Sequence, residues 1–157
     1  MGSRFPAELQ SLRRFFQQHD PAPEHTVAAA YAALGRRFGA GATALELVAD
    51  SAADQSRVRS TSGPQPRVLT FAMPGRVLEL GLVPGRSGTF HASGMVLNRA
   101  GHTPPDGEVV IRHPRGSCRG DLDEYGVFEV DGVPRGPISV VLQSRCSAPA
   151  VTDWLVC

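Results

Sequence analysis

The sequence predicts an α+β chain: an N-terminal helical segment of about three helices, followed by a seven-stranded antiparallel β-sandwich. Two observations predict it. Apolar residues in the first 50 positions recur at helical spacing, whereas from residue 67 onward they alternate with polar ones between Gly/Pro turns. No helical pattern separates one strand from the next, which argues against a parallel α/β sheet.

Phe5, Leu9, Leu12 and Phe16 fall at i, i+4, i+7 and i+11, one stripe of a first helix with Pro6 in its opening turn. Asp20-Pro21-Ala22-Pro23 breaks it. A second helix is predicted from Pro23-Glu24, with Val27, Ala30, Tyr31, Leu34 and Phe38 along one face and Gly39 and Gly41 at its end. A third is predicted from Thr43 to Ala53, carrying Leu45, Leu47, Val48 and Ala52, because Thr43 and Glu46 have capping-box spacing.

These features divide the chain into a helical segment at 1–50, a linker at 51–66 and a sandwich at 67–157. The linker is polar in its second half and ends in Pro64-Gln65-Pro66. In the sandwich, Leu69, Phe71 and Met73 alternate in the first strand and Leu78, Leu80 and Leu82 in the second. Phe90 to Leu97, then Val109 and Ile111, mark the third and fourth. Phe128 and Val130, then Ile138, Val140 and Leu142, then Val151 to Val156, complete seven.

Sixteen basic residues, all Arg, face fifteen acidic ones, so the net charge is +1 and no basic excess points to nucleic acid. No apolar run approaches the roughly 20 residues of a membrane helix, and the N-terminus shows no apolar signal region. An odd count of three cysteines then reads as reduced thiols, and the expected location is cytoplasmic.

Chemistry-bearing residues are present without a catalytic pattern. His113 and Cys118 are the nearest mixed pair for a metal but have no second pair, so no metal or other cofactor is expected. Asp121, Asp123 and Glu124 supply too few oxygen ligands at the spacing of a calcium loop. Ser87, in Gly85-Arg86-Ser87-Gly88, lacks nucleophile-elbow spacing, and a triad with His91 and an Asp is one that chance supplies in most chains. The chain is therefore expected not to be an enzyme.

The most informative stretch runs from Asp123 to Val140: Asp123-Glu124-Tyr125-Gly126-Val127-Phe128 leads to Gly132-Val133-Pro134-Arg135-Gly136 and then Ile138-Ser139-Val140. Gly126 permits a tight turn, Phe128 and Val130 point inward, and Pro134 marks a corner where no ladder donor is needed. The stretch resembles the D-x-x-G-x-F…G-V-P-x-G segment of carboxypeptidase regulatory-like (transthyretin-like) modules, which implies an immunoglobulin- or transthyretin-like sandwich without catalysis. Further features, in order, are Asp20-Pro21-Ala22-Pro23-Glu24 before an Ala-rich helix ending in Arg36-Arg37, then Glu46-Leu47-Val48-Ala49-Asp50-Ser51, Arg67-Val68-Leu69-Thr70-Phe71 and Thr152-Asp153-Trp154-Leu155. Together they resemble a family of small high-GC-bacterial proteins encoded beside extracytoplasmic-function sigma factors, often with a caspase-like (CHAT) protease gene nearby. The chain departs from that pattern at Gly39-Ala40-Gly41 and in the 101–107 loop, and it lacks the His-x-x-x-Cys-x-x-Cys signature of zinc-binding anti-sigma domains.

The resemblance implies an anti-sigma-like regulator acting by stoichiometric protein–protein binding, or alternatively an adapter or cleavage substrate of the protease. About fifty residues bury too little surface alone, so Val27, Tyr31, Leu34, Phe38, Leu45 and Leu47 must be covered, either by the sandwich or by a protein partner. Those six are the candidate partner-binding residues; Arg57, Arg59 and Arg67 are the candidate cleavage positions.

Overall fold

The computed structural model describes residues 7–23, 26, 27, 30, 41–54, 66–85, 87–98 and 106–157. Helix α1 spans Ala7–His19, β1 Thr43–Asp50, and a single turn of helix, α2, Ser51–Asp54. The remaining strands are β2 Arg67–Met73, β3 Arg76–Pro84, β4 Thr89–Asn98, β5 Gly107–His113, β6 Gly116–Asp121, β7 Val127–Pro134, β8 Pro137–Ser144, β9 Ala150–Thr152 and β10 Leu155–Val156.

The strands run β6-β5-β8-β9-β1-β2-β3-β4-β7, with β10 added on β8. Both halves of this order place their apolar alternate positions on one interior. Leu69, Phe71, Leu78, Leu80 and Leu82 meet Val109, Ile111, Ile138, Val140 and Leu142 there, all essentially inaccessible to solvent. Burying each contributes roughly 1.5–3 kcal/mol. The two ends of the order also meet: a Cβ at Gly120 of β6 would overlap the Glu129 carbonyl of β7. The sandwich is therefore a nearly closed, barrel-like sheet.

Turn chemistry places the strands as expected. Pro74 and Gly75 (φ 77°) join β2 to β3 in direct register. Between β6 and β7, one Asp123 carboxylate oxygen accepts from the Tyr125 and Val127 amides, both at 2.8 Å, and Gly126 (φ 78°) completes the reversal. Asp123 is thus a turn-former. Phe128 and Val130 then point into the core.

The predicted three-helix segment does not form. α1 is present, and of the predicted second helix only Thr26, Val27 and Ala30 are described, in helical conformation. Tyr31, Leu34 and Phe38 lie outside the described residues. The predicted third helix is the strand β1. Its first half pairs in parallel with β9 (Leu45 with Thr152) and its second half antiparallel with β2 (Leu47 with Phe71), across a bulge at Leu47–Ala49. A short isolated helix has little intrinsic stability, whereas this segment satisfies two open sheet edges at once. Helix begins only at Ser51, where the Asp50 carboxylate caps it by accepting from the Ala52 amide at 2.9 Å.

The strand count and the all-antiparallel pairing are corrected too. β6 (Gly-Ser-Cys-Arg-Gly-Asp) has no apolar alternation to announce it, and the segment read as one closing strand is two, β9 and β10. Among the described residues nine strands, β2 to β10, replace the seven expected after residue 67, β1 makes a tenth, and β1–β9 is a parallel pair.

Arg67 fastens the two ends of this arrangement. Its Nε and Nη2 donate to the two Asp50 carboxylate oxygens at 3.0 and 2.6 Å, and Nη1 donates to the Val156 carbonyl at 2.6 Å. The guanidinium holds the Asp50 carboxyl below its usual range, against the opposing effect of burial. A depressed folded-state pKa contributes stability that is complete above about pH 4 and lost as pH falls through the folded value. Asp50→Asn is therefore expected to be less stable than the parent at pH 7, by about 1–3 kcal/mol, with the gap closing as the pH falls below 4. Urea midpoints at pH 7, 5 and 3 check it; a constant gap would refute it.

Candidate functional site

The outward face of β5, β8 and β9 carries an unusual cleft. On β5, Val109 and Ile111 face the core, so Val110 and Arg112 face out. On β8 the same alternation turns Ser139, Val141 and Gln143 outward. Register aligns Val110 with Val141, Val141 with Val151, and Arg112 with Ser139. The result is an apolar floor flanked by a row of polar groups. Trp154, between β9 and β10, forms one wall, with the Arg112 guanidinium 5.8 Å from its ring centroid. The cleft encloses about 760 Å³ and reaches Arg119, His113, Pro114 and Pro149.

Its charge is one-sided. Among the described residues, no Asp or Glu lines it. Arg112 Nη2 donates to the Ser139 hydroxyl at 2.8 Å, and Ser139 in turn donates to the Thr152 carbonyl at 3.1 Å. Arg112 Nε is buried without a hydrogen-bond partner, and no carboxylate lies within 4 Å of the guanidinium among the described residues. Burial lowers the Arg112 pKa from its ordinary value, though not enough to discharge an arginine at neutral pH. Arg119, by contrast, has Glu108 at 3.2 Å. Burial, and secondarily the Arg115 charge, lowers the pKa of His113, so its imidazole is neutral at pH 7.

The sequence-predicted residues are dispersed. Leu45 is in the core at 3% exposure, and Leu47 is 47% exposed beside a shallow cleft of about 430 Å³. Val27 is half-buried. Arg57 and Arg59 lie outside the described residues, and Arg67 is held by Asp50 and Val156. His113 and Cys118 approach to 3.8 Å across the β5–β6 hairpin, but no group of three potential metal ligands gathers among the described residues. Ser87 Oγ lies 3.5 Å from Thr89 Oγ1, while His91 Nδ1 is 2.6 Å from Asp131. Cys157 is half-buried with its thiol pushed up to about 11, mainly by desolvation, which leaves it protonated at neutral pH.

Sequence reasoning missed Arg112 and Trp154 as a pair. The available signal was Arg112 in register with Val110 on the outward side of an otherwise apolar strand. Comparison with protein-family models, curated proteins and solved structures finds no match to this chain. Among the described residues, no helix is long and apolar enough to cross a membrane. Fold and site together define a strand-rich sandwich with a cationic, aromatic-walled cleft.

Proposed function

We propose that this chain is a non-catalytic cytosolic regulator that binds a protein partner stoichiometrically, the partner being the sigma factor that its resemblance implies. The observation that supports this is α1. Leu9, Leu12, Phe15 and Phe16 are 51, 52, 55 and 48% exposed, so the helix presents its apolar stripe to solvent rather than to the sandwich. Thirteen residues form a marginal helix in isolation, and an amphipathic helix of this kind gains its order in the groove of a helical partner. Arg14, exposed on the same helix, favours a groove with an acidic rim.

The test is co-purification with the sigma factor of the same gene neighbourhood. The parent chain is expected to retain it in a one-to-one complex, and Leu12→Asp or Phe16→Asp to lose at least tenfold in affinity without a change in melting temperature. Failure of the parent to bind overturns the reading. Cleavage by the neighbouring caspase-like protease at Arg57 or Arg59, with no sigma-factor binding, would support the adapter or substrate alternative instead.

A further inference from the structure

We infer that the cleft on the outer face of β5, β8 and β9 binds a small carboxylate carrying an apolar body. The inference is independent of α1 and of the sigma-factor reading. It starts from Arg112. A guanidinium drawn partly out of water needs compensation, and here a single hydroxyl, Ser139, and the face of Trp154 provide it. Arg112 Nε remains buried and unsatisfied among the described residues. Nε is sealed from the cleft, but Nη1 holds no hydrogen bond among the described residues and is the donor a carboxylate can take.

The surroundings select the rest of the ligand. Val110, Val141 and Val151 make an apolar floor in line across three strands, with the indole of Trp154 at its side. Among the described residues no acidic side chain lines the cleft, so the lining there favours an anion. Arg119 stands at the same opening but is matched by Glu108, which leaves Arg112 as the lining arginine without a carboxylate partner among the described residues. One such cation fits a monoanion. The volume, about 760 Å³, lies within the range of small-molecule sites, whose usual make-up is apolar walls with a few placed polar groups.

Trp154 is the chain's single tryptophan and walls both this cleft and the one beside Leu47, so its fluorescence reports binding and the Gln143 variant below assigns it to this cleft. Hexanoate titrated into the full chain at low chloride is expected to shift or quench that emission saturably. Hexanamide, which keeps the body without the charge, and acetate, which keeps the charge without the body, are each expected to bind at least tenfold more weakly. Arg112→Gln is expected to lose at least tenfold in hexanoate affinity. Because that change disturbs a buried contact, Gln143→Glu is the companion: Gln143 is exposed at the cleft, and a carboxylate there repels the ligand at least fivefold, while the fold is retained with a small fall in melting temperature from Glu108 opposite it. No saturable response to hexanoate, an equal response to hexanamide, or undiminished affinity in Gln143→Glu overturns the proposal.

Discussion

Leu45→Asp is expected to unfold the protein, whereas Leu47→Asp, two positions along the same strand, leaves it folded. Leu45 is 3% exposed and sits in the core cluster beside Leu69 and Phe71; Leu47, on the same face of β1 but next to its bulge, is 47% exposed. An ionised carboxylate at the first position would be buried without a partner, at a cost of several kcal/mol, comparable with the total stability of a small domain. Even Leu45→Ala is expected to cost about 2–5 kcal/mol through lost contacts and the cavity left behind. The solvated Leu47 site carries neither penalty, and the change should stay within about 1 kcal/mol. Urea unfolding followed by far-UV circular dichroism distinguishes the two. Equal sensitivity would mean that Leu47 is as deeply buried as Leu45, against the exposure seen here. The pair also separates fold from binding, because Leu47→Asp alone reports on a partner contact at this strand.

Gly120→Ala is the second large effect, expected to cost about 3 kcal/mol, at the upper end for overpacking. The added Cβ would meet the Glu129 carbonyl oxygen and the Val130 side chain, and a backbone oxygen has no rotamer through which to withdraw. Relief requires β6 and β7 to separate, which opens the seam where the two ends of the sheet order meet. Gly81→Ala on β3 is the control: its Cβ would lie 3.5 Å from the Ser93 carbonyl, an ordinary contact. Removing a glycine from a strand interior there is expected to be neutral or slightly stabilising. Similar melting temperatures for the two variants would show that the seam is loose.

The parts of the fold legible in the sequence are those where one physical signal dominated. Leu69-x-Phe71, Leu78-x-Leu80-x-Leu82 and Ile138-x-Val140-x-Leu142 alternate strictly, and their strands lie where that alternation puts them. The turns at Pro74-Gly75 and Asp123–Gly126 were legible because few residues tolerate those conformations. β1 was not, since Leu45, Val48 and Ala52 fit helical spacing as well as Leu45 and Leu47 fit a strand, and the decision came from distant edges on β2 and β9. β6 was not, since a strand over a seam is selected for small residues such as Gly120 and not for apolar ones. The cleft was least legible of all. Val110, Arg112, Ser139, Val141 and Val151 come together only through the register of three strands, and the alternation that reveals an inward face leaves the outward one looking like ordinary surface.

Because β1 hydrogen-bonds to one half of the sandwich with its first residues and to the other half with its last, it works as a pin between the two leaves, downstream in sequence of the N-terminal arm. A pull on that arm arrives at Thr43 and loads both leaves together, so neither leaf slides against the other until the pin itself is drawn. A tug strong enough to dislodge β1 would bare an edge on each leaf at once, with the β6–β7 seam still joining them.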